Sequence, residues 1–287
     1  MPKAEEKRNR VFSLNGKLIN NGEGVISAQD LALVQGQAVF ETLAVYEGRI
    51  FAAERHWKRL ARGAERFGLK NPATPELESE IAKVIEANDL SSLAKARARL
   101  TLTAGEPAGR FENLPERTNL IIEVSAAPSY AETASLITLP FARNEHGALY
   151  GVKTINYGEN VIALRLAREA GADEAIFPNT AGDVCEGTWS NLFCRLDGKI
   201  TTPPLESGCL PGVTREIILE LASEMGIEIQ ERSIAIKDLD RVEAAALTST
   251  LREIQPVDEI NGRRLPDQSF APWKQLAEAY QNLVRKS

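Results

Sequence analysis

Histidine and cysteine are both scarce: His56 and His146, and Cys185, Cys194 and Cys209, are all that 287 residues hold. So few histidines exclude a His-rich metal site and leave a histidine-based catalytic triad poorly supported. The odd cysteine count, with no C-x-x-C spacing, fits a reducing cytosol rather than a disulfide framework or a zinc site. No apolar run approaches the roughly 20 residues that span a bilayer. The opening MPKAEEKRNR is charged and lacks the apolar core of a secretory signal, so a solvated tail is expected there. A net charge of -6 gives no reason to expect a nucleic acid or an anionic membrane as partner. Neither a G-x-x-x-x-G-K-[ST] loop nor a G-x-G-x-x-G after a strand occurs, so the common nucleotide signatures are missing. These absences together point to a cytoplasmic protein with no metal, membrane or nucleic-acid partner.

What is present is ordinary globular material, 43% hydrophobic and 26% charged, and long enough for two domains. VFSLNGKLI reads as a hairpin turning at Asn15-Gly16, and AVFETLAVYEGRIF continues the sheet with a turn at Glu47-Gly48. AERHWKRLARGAERFGL then takes helical periodicity, with Trp57, Leu60, Ala64 and Phe67 on one face and Gly68 as its end. PELESEIAKVIEAN, with Pro75 near its start, is a second amphipathic helix, and ARARLTLTA and NLIIEVSAA alternate as strands do. AAPSYAETAS is small and polar and carries a proline, the texture of a linker. The expected organisation is a small domain over residues 1–125, a linker over 126–135 and a larger domain over 136–287. In that larger domain strands alternate with the helices NVIALRLAREAGA and GVTREIILELASEMG. Hairpins fall at Asp197-Gly198 and Asn261-Gly262, and a helix closes the chain.

Five features carry possible chemistry. In GVKTINY, Lys153 lies between Val152 and Ile155, and a lysine desolvated by apolar neighbours can condense with an aldehyde. In CEGTWSNLF, Glu186 stands at the mouth of an apolar run and calls for a cationic partner. In LPGVTREIILELA, Gly212 precedes a helix whose first N–H groups, on Val213 and Thr214, favour an anion. Arg59, on the first long helix, and the hydroxyls of TST at 248–250 complete the set. Taken singly, a solvated lysine, a common helix start and a snorkelling arginine explain them at least as well. Taken together they are what a pyridoxal phosphate enzyme requires: an amine for the aldehyde, a carboxylate for the pyridine nitrogen and a phosphate cup.

The order and spacing of five blocks resemble the class IV aminotransferases, the fold-type IV pyridoxal phosphate family. The blocks are VFETLAVYEGRIFAAERHWKRL, KTINYGENVIALRLAREAGADEAIF, EGTWSNLF, TPPLESGCLPGVTRE and TSTLREIQPV, spanning about residues 11 to 265. The resemblance implies an α+β chain of two domains, a small N-terminal α/β domain and a larger, β-rich C-terminal one. By it, Lys153 resembles the Schiff-base lysine, Glu186 the partner of the pyridine nitrogen and Tyr157 the partner of the phenolic oxygen. Arg59, Val213, Thr214 and Thr250 resemble the phosphate cup, and Leu210 the leucine packed on the ring. It implies a homodimer, with amino acids and 2-oxo acids as substrates.

Two stretches depart from the family pattern. Its Y-G-D-G-V-F-E reads Val34-Gln35-Gly36-Gln37-Ala38-Val39-Phe40-Glu41 here. The loop GEPAGRFEN carries Arg110, which is a candidate carboxylate clamp and equally a solvated loop arginine. Thr42, in FETL, stands on the substrate side by resemblance and favours 4-amino-4-deoxychorismate lyase; as a β-branched residue it also suits a strand. The expected activity is amino transfer between an amino acid, a D-amino acid included, and a 2-oxo acid. The lyase reaction, releasing pyruvate and 4-aminobenzoate, is the alternative.

Overall fold

The hydrophobic alternation of KARARLTLT becomes a half-buried strand. Ala96, Ala98, Leu100 and Leu102 are buried on one face, and Arg97, Arg99 and Thr101 stand half-buried on the other. The computed structural model describes residues 10–20, 23, 26–72, 74–107, 109, 117–267 and 270–286. It divides into two units. One comprises Met1–Pro128 and Val152–Asn156, the other Ser129–Gly151 and Tyr157–Ser287.

The first unit is built on strands β1 (Val11–Leu14), β2 (Lys17–Asn20), β3 (Ala38–Tyr46), β4 (Arg49–Ile50), β5 (Lys95–Thr103) and β6 (Asn119–Ala126). They form one antiparallel sheet in the order β2-β1-β6-β5-β3-β4. Its helices are α1 (Leu31–Gln35), α2 (Ala53–Arg66) and α3 (Thr74–Ala87). The apolar stripes of α2 and α3 share one core with the sheet: Trp57, Leu60 and Ala64, with Leu77, Ile81 and Val84, against Leu43, Leu100 and Ile122. Asn15-Gly16 and Glu47-Gly48 both take positive φ, the mirror-image turn whose twist matches that of paired strands.

The second unit holds β7 (Ala134–Thr138), α4 (Gly158–Glu169), β8 (Glu174–Pro178), β9 (Val184–Gly187), β10 (Asn191–Leu196) and β11 (Lys199–Thr202). These are followed by α5 (Val213–Glu224), β12 (Ile229–Glu231), β13 (Ala244–Ser249), β14 (Glu253–Ile260), β15 (Arg263–Arg264) and α6 (Ala271–Lys286). The sheet runs β12-β11-β10-β13-β14-β7-β8-β9, with β15 on β14. It mixes parallel pairs, β14 with β7 and β7 with β8, among antiparallel ones. Such a sheet is covered by helices: α4 lays Ala163 and Ala167 on Ala175 and Phe177, and α5 and α6 close over Phe193 and Ala246.

All three cysteines are free and buried. Burial pushes the Cys194 thiol up to about 12 and that of Cys209 to about 11, the behaviour of small packing residues. No described helix is long and apolar enough to cross a membrane. Among the described residues no group of three His, Cys, Asp or Glu side chains is placed to hold a metal ion.

Candidate active site

The site residues proposed from the sequence fall into two constellations, one in each unit. In the first, Val152–Asn156 adds to the start of β3. The Phe40 amide donates to the Lys153 carbonyl at 2.9 Å, the Ile155 amide donates to Ala38 at 3.2 Å, and Val39 bridges Thr154. Lys153 is thus held by its backbone, and its ammonium lies 4.4 Å from the centre of the Phe40 ring. The Arg99 guanidinium lies 3.9 Å from the centre of that same ring, and Arg99 is the cross-strand partner of Thr42. Asn156 secures the segment by donating to the Gly36 carbonyl at 3.2 Å and to Thr154 Oγ1 at 2.7 Å. Gly36 has φ +69, and a Cβ there would sit 2.0 Å from Asn156 Oδ1, so glycine is required on both counts.

Beside this lies a buried charged group that sequence reading did not foresee. Glu41 accepts from Arg59 Nε at 2.7 Å and from Arg59 Nη2 at 2.8 Å, and meets His56 Nδ1 at 2.8 Å. Burial pushes Glu41 up, yet the charge and hydrogen bonds of Arg59, with those of His56, outweigh it and hold the carboxyl far below its usual range. Burial dominates at His56 and lowers its value despite Glu41. The charges of Arg59 and Lys153 act in the same direction. The pattern F-E followed by H-x-x-R on the next helix is the signal that was available.

The second constellation centres on Glu186, on β9. One oxygen is paired with Arg143, and the other accepts the Leu210 amide at 2.9 Å. Arg143 also donates to Asn160 Oδ1 at 3.0 Å and lies 4.1 Å from the centre of the Phe177 ring, while Asn160 donates to the Thr188 carbonyl at 2.6 Å. The cation that Glu186 calls for therefore exists within the protein. Nothing around PFARNEHG in the sequence marked Arg143 for this role. Tyr157 precedes α4, and its ring packs on that of Trp189 at 5.1 Å.

Leu210 connects Glu186 to the anion-binding end. Its carbonyl accepts from Asn191 Nδ2 at 2.9 Å, and a Cβ on Gly212 would lie 2.0 Å from Asn191 Oδ1. Gly212 is the N-cap of α5 and brings no side chain to cap it. Val213 and Thr214 are buried in the first turn, and the Thr214 hydroxyl is hydrogen-bonded to Tyr280, which leaves Thr214 its backbone N–H for an anion. Thr248 pairs with Asn191 across the sheet, and its Oγ1 is buried without a hydrogen-bond partner. Thr250 follows two residues later, half-buried in the turn after β13.

Thus Lys153, Arg59 and Thr42 belong to the first unit, and Tyr157, Glu186, Leu210, Val213, Thr214 and Thr250 to the second. Arg110 lies outside the described residues.

Comparison with known proteins places the chain in a family. The profile of the class IV amino-transferases matches residues 38–260. A protein of Methanocaldococcus jannaschii, provisionally assigned as a branched-chain-amino-acid aminotransferase, is 32% identical over 280 residues, covering 95% of this chain and 96% of its own. A bifunctional aminodeoxychorismate lyase / D-amino acid transaminase of Mycobacterium tuberculosis is 29% identical over 89% of this chain and 93% of its own. Among solved structures, a hypothetical aminotransferase from Mycobacterium tuberculosis in its PLP-bound form superposes with a TM-score of 0.83 at 28% identity, covering 94% of this chain and 98% of that one. The chain belongs to the class IV amino-transferases, and its α+β fold is the fold-type IV of that family. Enzymes of this family depend on pyridoxal phosphate, and amino transfer is the activity that the relatives support best.

Proposed function

We propose that this protein, working as a cytoplasmic homodimer with pyridoxal phosphate, moves amino groups between amino acids, D-amino acids among them, and 2-oxo acids. The observation that carries the reading is the chain of contacts from Glu186 through Leu210 and Asn191 to the bare N-terminus of α5. A carboxylate suited to a ring N–H and a helix start suited to an anion, joined by one run of contacts, support the reading. The residues fit the cofactor: Thr248, the cross-strand partner of Asn191, offers a buried hydroxyl in want of a partner, and α5 has no side-chain cap to compete with a phosphate.

When bound, pyridoxal phosphate supplies an electron sink for a carbanion at the donor's α carbon. Lys153 would hold the aldehyde, and its amine would carry the proton from that carbon. Glu186, fixed by Arg143 and the Leu210 amide, would accept the ring N–H. Tyr157, braced by Trp189, would donate to the phenolic oxygen, and Leu210 would pack on the ring. Arg59 and the backbone of Val213 and Thr214, with Thr250, would hold the phosphate. Thr42, its neighbour Arg99 and Arg110 are the candidates to receive the donor's carboxylate. Val161 and Ile162 on α4, with Trp189, are exposed apolar side chains that suit contact with a second copy.

A second reading, 4-amino-4-deoxychorismate lyase, is favoured by Thr42 on β3 and by the bifunctional relative. Lys153→Ala tests both: turnover should be lost whichever reaction is assayed. A variant with full activity would remove Lys153 from the chemistry.

A further inference from the structure

The second unit contains a buried ion pair that none of the roles above uses. Arg252 Nη2 lies 2.6 Å from Glu174 Oε2, with the two side chains 7% and 0% exposed. Charges this far from water are costly to keep unless geometry and further hydrogen bonds compensate, so what each end touches matters. Glu174 accepts the Trp189 amide at 2.8 Å and the Ser190 hydroxyl at 2.6 Å through its other oxygen. It also sits directly behind Gly187, the residue after Glu186: a Cβ there would come within 2.5 Å of both Glu174 Oε1 and Ser190 Oγ. Glu174 therefore fixes the Gly187–Ser190 loop, which carries the ring that braces Tyr157.

Arg252 is anchored on the opposite side. Its guanidinium bonds Gln255 Oε1 and lies 4.6 Å from the centre of the Tyr130 ring, and Gln255 donates to the carbonyls of Ala131 at 2.7 Å and Thr133 at 3.2 Å. Arg252 closes the Thr250–Arg252 turn that follows β13, its amide reaching Ser249 Oγ. The next residue, Glu253, has φ +61, a conformation that costs a non-glycine residue about 1 kcal/mol and persists only where its surroundings impose it.

We propose that Arg252 and Glu174, with Gln255, are positioning residues that lock the end of β13 and the Thr250–Arg252 turn to the Gly187–Ser190 loop, and so set the spacing between the phosphate end and the ring end of the cofactor site. The inference rests on the cofactor reading above. A ligand that uses both ends depends on the lock, and a ligand that uses the ring end alone does not.

The test compares pyridoxal phosphate with pyridoxal, which has no phosphate, by titrating the apoprotein and following absorbance. Arg252→Met should weaken pyridoxal phosphate binding about tenfold or more while pyridoxal affinity stays within about threefold. Because Arg252→Met leaves Glu174 unpaired, Gln255→Met serves beside it. It loosens the guanidinium without stranding a buried charge, and should shift the same ratio in the same direction by a smaller factor. Folded variants that bind both ligands like the wild type, or lose both equally, would overturn the inference and leave the cofactor reading standing. A wild-type protein that takes up neither ligand would overturn both.

Discussion

Arg59 grips Glu41 through two parallel hydrogen bonds in the interior of the first unit, with His56 closing on the same carboxylate. A planar guanidinium fork held in this way is fixed in orientation and has little freedom left to lose. Glu41→Gln should therefore act twice. It should destabilise the fold by about 3–5 kcal/mol, the usual cost of stranding one member of a buried pair, and it should weaken pyridoxal phosphate binding. Denaturant titration and cofactor titration on the same preparation would show both. Unchanged stability would mean that the pair contributes nothing net.

The same cluster sets an acid limit. The folded-state values of His56 and Glu41 both lie below their ordinary 6.5 and 4.5. The unfolded chain then binds more protons, so their stabilising contribution is complete above pH about 6.5 and falls as pH drops, through His56 first and Glu41 next. Melting temperature should decline between pH about 7.5 and 5.5, and His56→Gln should flatten that decline. An equal slope in the variant would place the acid sensitivity elsewhere.

Gly212 is the tightest point of the second constellation. Because a Cβ would meet Asn191 Oδ1 at 2.0 Å, Gly212→Ala must push Asn191 off the Leu210 carbonyl or shift the start of α5. Cofactor affinity should fall about tenfold or more, and Asn191→Ala, which makes room, should partly restore it in the double variant. A double variant no better than Gly212→Ala would show that the clash is relieved in another way.

Much of this architecture was legible in the sequence. Hairpins at Asn15-Gly16, Asp197-Gly198 and Asn261-Gly262 were readable because a short-range rule governs them, and positive φ is found at all six residues. Glu186, Lys153 and the start of α5 stood out because each had an unusual local setting. The partners did not. Arg143, 43 residues from Glu186, and Asn191, 19 residues from Leu210, meet them only through sheet pairing and loop closure, which local pattern does not encode. Val152–Asn156 is a similar case: five residues that pair with β3 while flanked in sequence by the second unit. Glu174 and Arg252 each lie in a recognisable block, but 78 residues separate them and nothing in either block marks the two as a pair.

Amino transfer on a cofactor held by Lys153 can be read from a visible spectrum of the cofactor-loaded protein. Excess D-alanine, L-leucine or L-glutamate would be added separately, followed by a 2-oxo acid. At least one donor should bleach the yellow chromophore, the 2-oxo acid should restore it, and Lys153→Ala should show no such cycle. A yellow protein that none of the donors bleaches, but that releases 4-aminobenzoate from aminodeoxychorismate, would contradict amino transfer and make the protein a lyase.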